Sequence, residues 1–162
     1  MKKGRICVIG VGNEQRGDDA IGLHAARLMS QRQIAGMDVF EAGDDTTTLM
    51  DFWAEVDTAY VIDAIRCGHD RGCVHRFDLH DGPLPATRFS ASTHTIGLGQ
   101  AFELARSLNA LPPRLVLYAV EGERFDAGIA LSTRAKAGAD EAVARLLAEI
   151  DSSKRETEVP HA

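Results

Sequence analysis

The stretch Arg5-Ile6-Cys7-Val8-Ile9-Gly10-Val11-Gly12-Asn13-Glu14-Gln15-Arg16-Gly17-Asp18-Asp19-Ala20-Ile21-Gly22 decides the fold. Residues 5–11 are a short β-branched run. It is continuously apolar after Arg5, as in a strand buried on both faces of a parallel sheet. A glycine-rich loop follows. A helix is expected over residues 19–33, with Asp18 as its N-cap and Ile21, Ala25 and Leu28 on one face. Strand, loop and helix in this order open an α/β sheet, whose ligands bind beyond the carboxyl ends of the strands.

The rest of the chain extends this unit. Asp38-Val39-Phe40-Glu41 reads as a second strand, and Asp45 or a nearby threonine caps a helix through Leu49, Phe52 and Trp53. Residues 59–64 are another continuous apolar run. Residues 73–78 alternate instead, as a half-exposed edge strand does. Only about eight residues separate them from the third strand, and a parallel crossover needs a dozen or more, so this strand is expected to run antiparallel. Ala101, Leu104, Ala105 and Leu108 form a helical stripe that Pro112-Pro113 ends. Residues 115–120 make a fifth strand. Ala139, Ala142, Val143, Leu146, Leu147 and Ile150 mark a last helix, and a loose polar tail is expected over residues 151–162. The expected fold is a three-layer α/β/α sandwich: a five-stranded, mostly parallel mixed sheet with one antiparallel strand, in a single domain over residues 1–150.

Composition narrows the function. The 162 residues are 44% hydrophobic and 26% charged, which suits one globular domain needing no disulfide or metal to fold. With 18 basic and 24 acidic residues the net charge is −6, which argues against a nucleic-acid surface. Three cysteines at unpatterned spacing suggest no disulfide framework, and no run approaches the ~18 apolar residues of a membrane helix. The residues read as a cytoplasmic protein without membrane insertion.

Four places carry candidate chemistry. Gly10-x-Gly12 invites a dinucleotide reading, but Gln15 stands where the third glycine belongs, and Glu14, Asp18 and Asp19 would repel a pyrophosphate. A plainer reading has Asp18 capping the helix and Asp19 favouring its positive end. Asp63 closes an apolar run, where a carboxylate is costly unless paired or bound to a cation; its plainer role is to accept amides of its own loop. His94 lies in Ser92-Thr93-His94-Thr95-Ile96-Gly97-Leu98-Gly99, expected as a hydroxyl-rich loop ahead of a helix. Cys67, His69, Cys73 and His75 put four soft ligands within nine residues. Their Cys-x-His spacing is not that of a structural zinc site, and zinc is set aside there. Asp19, Asp63 and His94 together offer two oxygens and one nitrogen, a set that suits nickel or zinc with positions left open for substrate. No Gly-x-Ser-x-Gly elbow or His-Glu-x-x-His helix occurs.

With these residues the chain resembles the hydrogenase maturation endopeptidases. The likeness is carried by Gly10-Val11-Gly12-Asn13 with Asp18-Asp19-Ala20-Ile21-Gly22, by Val61-Ile62-Asp63-Ala64, by Ser92-Thr93-His94-Thr95-Ile96-Gly97-Leu98, and by Gly128-Ile129-Ala130-Leu131-Ser132. It implies a five-stranded mixed sheet of phosphorylase/hydrolase-like type. It also implies removal of a C-terminal extension from a nickel–iron hydrogenase large-subunit precursor. The nickel arrives in that precursor as a recognition element, and zinc or another divalent ion can substitute. Asp19, Asp63 and His94 take the places of the family's metal-contacting and catalytic residues. Many relatives carry Glu at the place of Asp19, and an Asp-Gly-Gly-Thr-like segment at the place of Glu41-Ala42-Gly43-Asp44-Asp45-Thr46.

Two other readings stand beside this one. A peptidyl-tRNA hydrolase has similar architecture, but the net charge of −6 opposes it. A non-catalytic chaperone or metal-binding domain for hydrogenase assembly would need only the exposed carboxylates.

Overall fold

The computed structural model describes residues 4–43, 45–85 and 93–158, and of residues 93–96 the backbone alone. Strands β1 (Ile6–Val11), β2 (Met37–Ala42), β3 (Thr58–Ile65), β4 (Val74–Asp78) and β5 (Arg114–Glu121) form one sheet in the order β2-β1-β3-β5-β4. The pairs β1/β2, β1/β3 and β3/β5 are parallel. β4 is antiparallel to β5, as its short connection to β3 requires. The chain runs outward from β1 to β2 and returns on the other side of β1 to β3. The order therefore switches between β1 and β3, where open α/β sheets place their ligand crevice.

Helices α1 (Ile21–Gln31) and α4 (Thr133–Glu158) cover one face, and α2 (Leu49–Trp53) and α3 (Thr93–Ser107) cover the other. Side-chain alternation assigns the strands to these two layers. Cys7, Ile9, Val11, Val61, Ile65 and Leu117 pack with Trp53, Leu98 and Phe102 on the α3 side. Val8, Tyr60, Ile62 and Tyr118 pack with Ile21, Met29, Ala139 and Leu146 on the other. The Trp53 indole N–H donates to the Ala110 carbonyl at 2.9 Å, so the bulkiest core side chain is also satisfied.

Several local expectations change. The first helix begins as a 3-10 turn, Gly17–Ala20, and α1 proper starts at Ile21 with no side-chain cap at Ala20. Asp45 does cap, accepting from the Thr47 amide at 3.0 Å, but at a 3-10 turn (Thr46–Thr48) leading into α2. α3 starts at Thr93, upstream of the apolar stripe. Leu98, Ala101, Phe102 and Ala105 form its buried face, whereas Leu104 and Leu108 are exposed. The tail expected to be loose from Asp151 continues α4 to Glu158, where Ser153 Oγ accepts from Arg114 at 3.2 Å.

Candidate functional site at the carboxyl end of the sheet

Four carboxylates among the described residues are buried, and all stand at this end of the sheet: Asp18, Asp19, Asp63 and Glu121, each at most 2% exposed. Burying a carboxylate is costly without compensating partners, so each requires an account.

Asp18 is not the helix cap its position suggested. Its Oδ2 accepts from the amides of Glu123 at 2.7 Å and Arg124 at 3.2 Å. Its Oδ1 accepts from the Ser132 amide at 2.8 Å, and the Ser132 hydroxyl donates to Oδ2 at 3.0 Å. The backbone adds further bonds. The Gly17 amide donates to the Ile129 carbonyl, that of Asp18 to Arg124, and that of Gly128 to Gln15. The first loop is thereby stitched to residues 122–132, and Asp18 is the clasp.

Asp19 is placed by close backbone packing. A Cβ on Gly22 would stand 2.2 Å from the Val11 carbonyl oxygen and 2.3 Å from that of Ile62. Only glycine lets the start of α1 sit directly on the carboxyl ends of β1 and β3. Gly12, at φ +154°, has the Asp19 carbonyl oxygen 2.0 Å from where its own Cβ would be. These approaches also decide against a dinucleotide. The space that a phosphate would take beside Gly10-x-Gly12 is filled by the chain's own 3-10 turn and α1.

Asp63 is one residue beyond Ile62, which pairs with Gly10 across the β1/β3 switch. By strand parity it shares the α3 face with Val61 and Ile65. Its Oδ1 lies 2.8 Å from the Ala64 amide, the local bond that a plain structural role would make. Asp19, in the turn after β1, and Asp63, near the end of β3, are thus buried residues on two neighbouring strand exits. The α3 backbone enters on the same side. Thr46 Oγ1 donates to the Gly97 carbonyl at 3.3 Å, which ties the start of α3 to the turn after β2. His94 falls in the first turn of α3, not in a loop before it, and its side chain lies outside the described residues.

Glu121 was not singled out from sequence, although it carried the same signal as Asp63: a carboxylate closing an apolar strand. Its Oε1 accepts from the amides of Cys67 at 2.9 Å and Gly68 at 3.0 Å, and the Cys67 thiol donates to Oε2 at 3.0 Å. It fixes the start of the β3–β4 connection. That connection brings Cys67, His69 and His75 together, with one ligand atom from each within 4.8 Å of the others. Cys73 takes no part in the group. The set-aside soft ligands therefore form a cluster after all, in a combination that linear spacing did not show.

Carboxylate oxygens are donors that suit a divalent cation, and such a cation would be the group able to polarise a peptide carbonyl. No helix among the described residues is long and apolar enough to cross a membrane.

Comparison with known proteins gives the family. The family model of HycI, hydrogenase maturation protease, matches residues 23–149. The chain is 28% identical over 152 residues to the hydrogenase 2 maturation protease of Escherichia coli, covering 92% of each protein. Among solved structures it is similar to the hydrogenase maturating endopeptidase HybD from E. coli. The TM-score is 0.79 at 27% identity, over 92% of this chain and 93% of that one. It is also similar to the [NiFe] hydrogenase maturation protease HybD from Thermococcus kodakarensis, with a TM-score of 0.74 at 26% identity, over 90% and 99%. A family model spanning most of the chain, a relative aligned nearly end to end and the shared fold agree: this chain belongs to the hydrogenase maturation protease family.

Proposed function

We propose that this protein is an endopeptidase that removes the C-terminal extension of a nickel–iron hydrogenase large-subunit precursor once nickel has been inserted. The observation that carries this reading is that Asp19 and Asp63 are both buried beside the β1/β3 switch, while His94 falls in the first turn of α3. Asp19, Asp63 and His94 are the proposed contacts to the nickel that the precursor brings. Two carboxylates and an imidazole would leave coordination positions for the precursor's own ligands, and a metal held there would supply Lewis-acid polarisation of the scissile carbonyl or of a water. A nickel-free precursor lacks the group these residues await, so cleavage reports that insertion is complete. The three free cysteines suit work in a reducing cytoplasm.

Incubation with nickel-loaded and nickel-free precursor, read by intact mass, tests this reading. A single shortening of the nickel-loaded form alone supports it. Tight binding without any mass loss would favour the chaperone reading instead.

A further inference from the structure

We propose that Cys67, His69 and His75 form a separate, resident metal site for a zinc-class divalent cation. The proposal stands on the geometry of the chain and does not depend on the function proposed above.

Each ligand arrives by a different device. His75 is on strand β4, opposite Ala119 of β5, so its position is set by the sheet ladder. Cys67 is held by Glu121, whose Oε1 takes the amides of residues 67 and 68. Gly68, at φ +85°, turns the chain so that Cys67 and His69 address the same side. The rings of His69 and His75 are 5.0 Å apart and inclined at 49°, two imidazoles directed at a common region and not stacked.

The spacing suits an ion. Tetrahedral zinc with bonds of about 2.0–2.3 Å keeps its ligand atoms roughly 3.3–3.8 Å apart. The three atoms already lie within 4.8 Å of one another, so small side-chain rotations close the set. Cys67 and His75 are half-buried whereas His69 is exposed, which leaves an entry path from solvent. One sulfur and two imidazole nitrogens select a borderline ion over magnesium or calcium. The fourth position falls to water or to Glu121 Oε2, which is 3.0 Å from Cys67 Sγ. As the metal–sulfur bond forms, the S–H bond breaks and its proton passes to solvent.

The site neighbours the proposed catalytic crevice without being part of it. Asp63 and His75 both stand opposite Ala119, from β3 and β4 respectively. Two interstrand spacings put them about 10 Å apart on one face of the sheet. A bound ion would fasten the β3–β4 connection to the edge strand.

Cobalt titration of the tag-free, full-length protein under anaerobic conditions tests this. One equivalent of Co(II) is expected to produce a near-ultraviolet thiolate charge-transfer band and intense visible bands of tetrahedral geometry, both bleached by one equivalent of zinc. Cys67→Ser loses the charge-transfer band. His69→Ala and His75→Ala, checked for fold by circular dichroism, weaken cobalt binding by at least the roughly 10–100-fold that loss of even an outer-sphere partner costs. His69 is exposed, so that variant tests the site without a core substitution. Asp63→Asn and Cys73→Ser keep the band. Absence of the band in the folded wild type, its survival in Cys67→Ser, its loss in Asp63→Asn or Cys73→Ser, or unchanged binding in the histidine variants would each overturn the proposal.

Discussion

Asp18 and Ser132, 114 residues apart in the chain, are joined twice: the Ser132 amide meets Oδ1 at 2.8 Å and its hydroxyl meets Oδ2 at 3.0 Å. The same carboxylate holds the amides of Glu123 and Arg124. The loop carrying Asp19 is thus held in place by a residue that does none of the proposed chemistry.

Asp18→Ala leaves three part-buried backbone amides without their acceptor. It is expected to cost about 2–3 kcal/mol, above the ~1 kcal/mol of a lost helix cap. Ser132→Ala is expected to cost about 1 kcal/mol. Urea unfolding of both variants checks this. An Asp18→Ala loss no larger than that of a cap would mean the clasp contributes little.

Asp19→Asn and Asp63→Asn are expected to fold, since the amide keeps the size and removes a buried charge. Each is expected to lower cleavage of nickel-loaded precursor by roughly 10²-fold or more, as is His94→Ala. In a Cys67→Ser background, which silences the Cys67–His69–His75 cluster, nickel is expected to raise the melting temperature by mass action. Asp63→Asn in that background abolishes the rise. A retained rise would separate Asp63 from the metal.

Gly22→Ala places a Cβ within 2.3 Å of two carbonyl oxygens that belong to strands and cannot swing away. A stability loss of about 3 kcal/mol and a parallel fall in cleavage are expected, because the 3-10 turn bearing Asp19 must move. Thermal unfolding and the cleavage assay together check this. An alanine tolerated in both would contradict the packing described for the switch point.

Glu149 gives a pH signature far from the site. Burial pushes its carboxyl up, but hydrogen bonds from Arg76 and Tyr118 and the charges of Arg76 and Arg114 outweigh this and hold it below its ordinary value of 4.5. A carboxylate lowered on folding contributes stability that is present above its unfolded pKa and lost as pH falls through the folded one. Wild-type stability is therefore expected to drop as pH falls below about 4.5, and Glu149→Gln is expected to flatten that limb while lowering stability at neutral pH. Urea midpoints across this range decide it. A Glu149→Gln limb as steep as the wild type would assign the acid loss to other carboxylates.

Much of this fold was legible because its strands are written plainly. The runs ending at Val11 and Ala64 are apolar without alternation, and residues 73–78 alternate, so parallel interior and antiparallel edge could be told apart. The short link before β4 fixed its direction. Long-range satisfaction was not legible. Asp18 resembles a cap locally, and its partners lie more than a hundred residues away, where no local pattern reports them. Leu104 and Leu108 fit a helical stripe as well as Leu98 and Phe102 do, and only packing shows which pair is buried. The Cys67, His69 and His75 group joins a loop to a strand, so ligand spacing along the chain misled.

Intact-mass analysis of nickel-loaded large-subunit precursor, incubated with wild type and with folded Asp63→Asn, tests the central claim most directly. The account predicts one C-terminal cut by the wild type, the same cut slowed by roughly 10²-fold or more in Asp63→Asn, and none on nickel-free precursor. Equal cutting by both proteins, or no cut by the wild type on the nickel-loaded form, would contradict it.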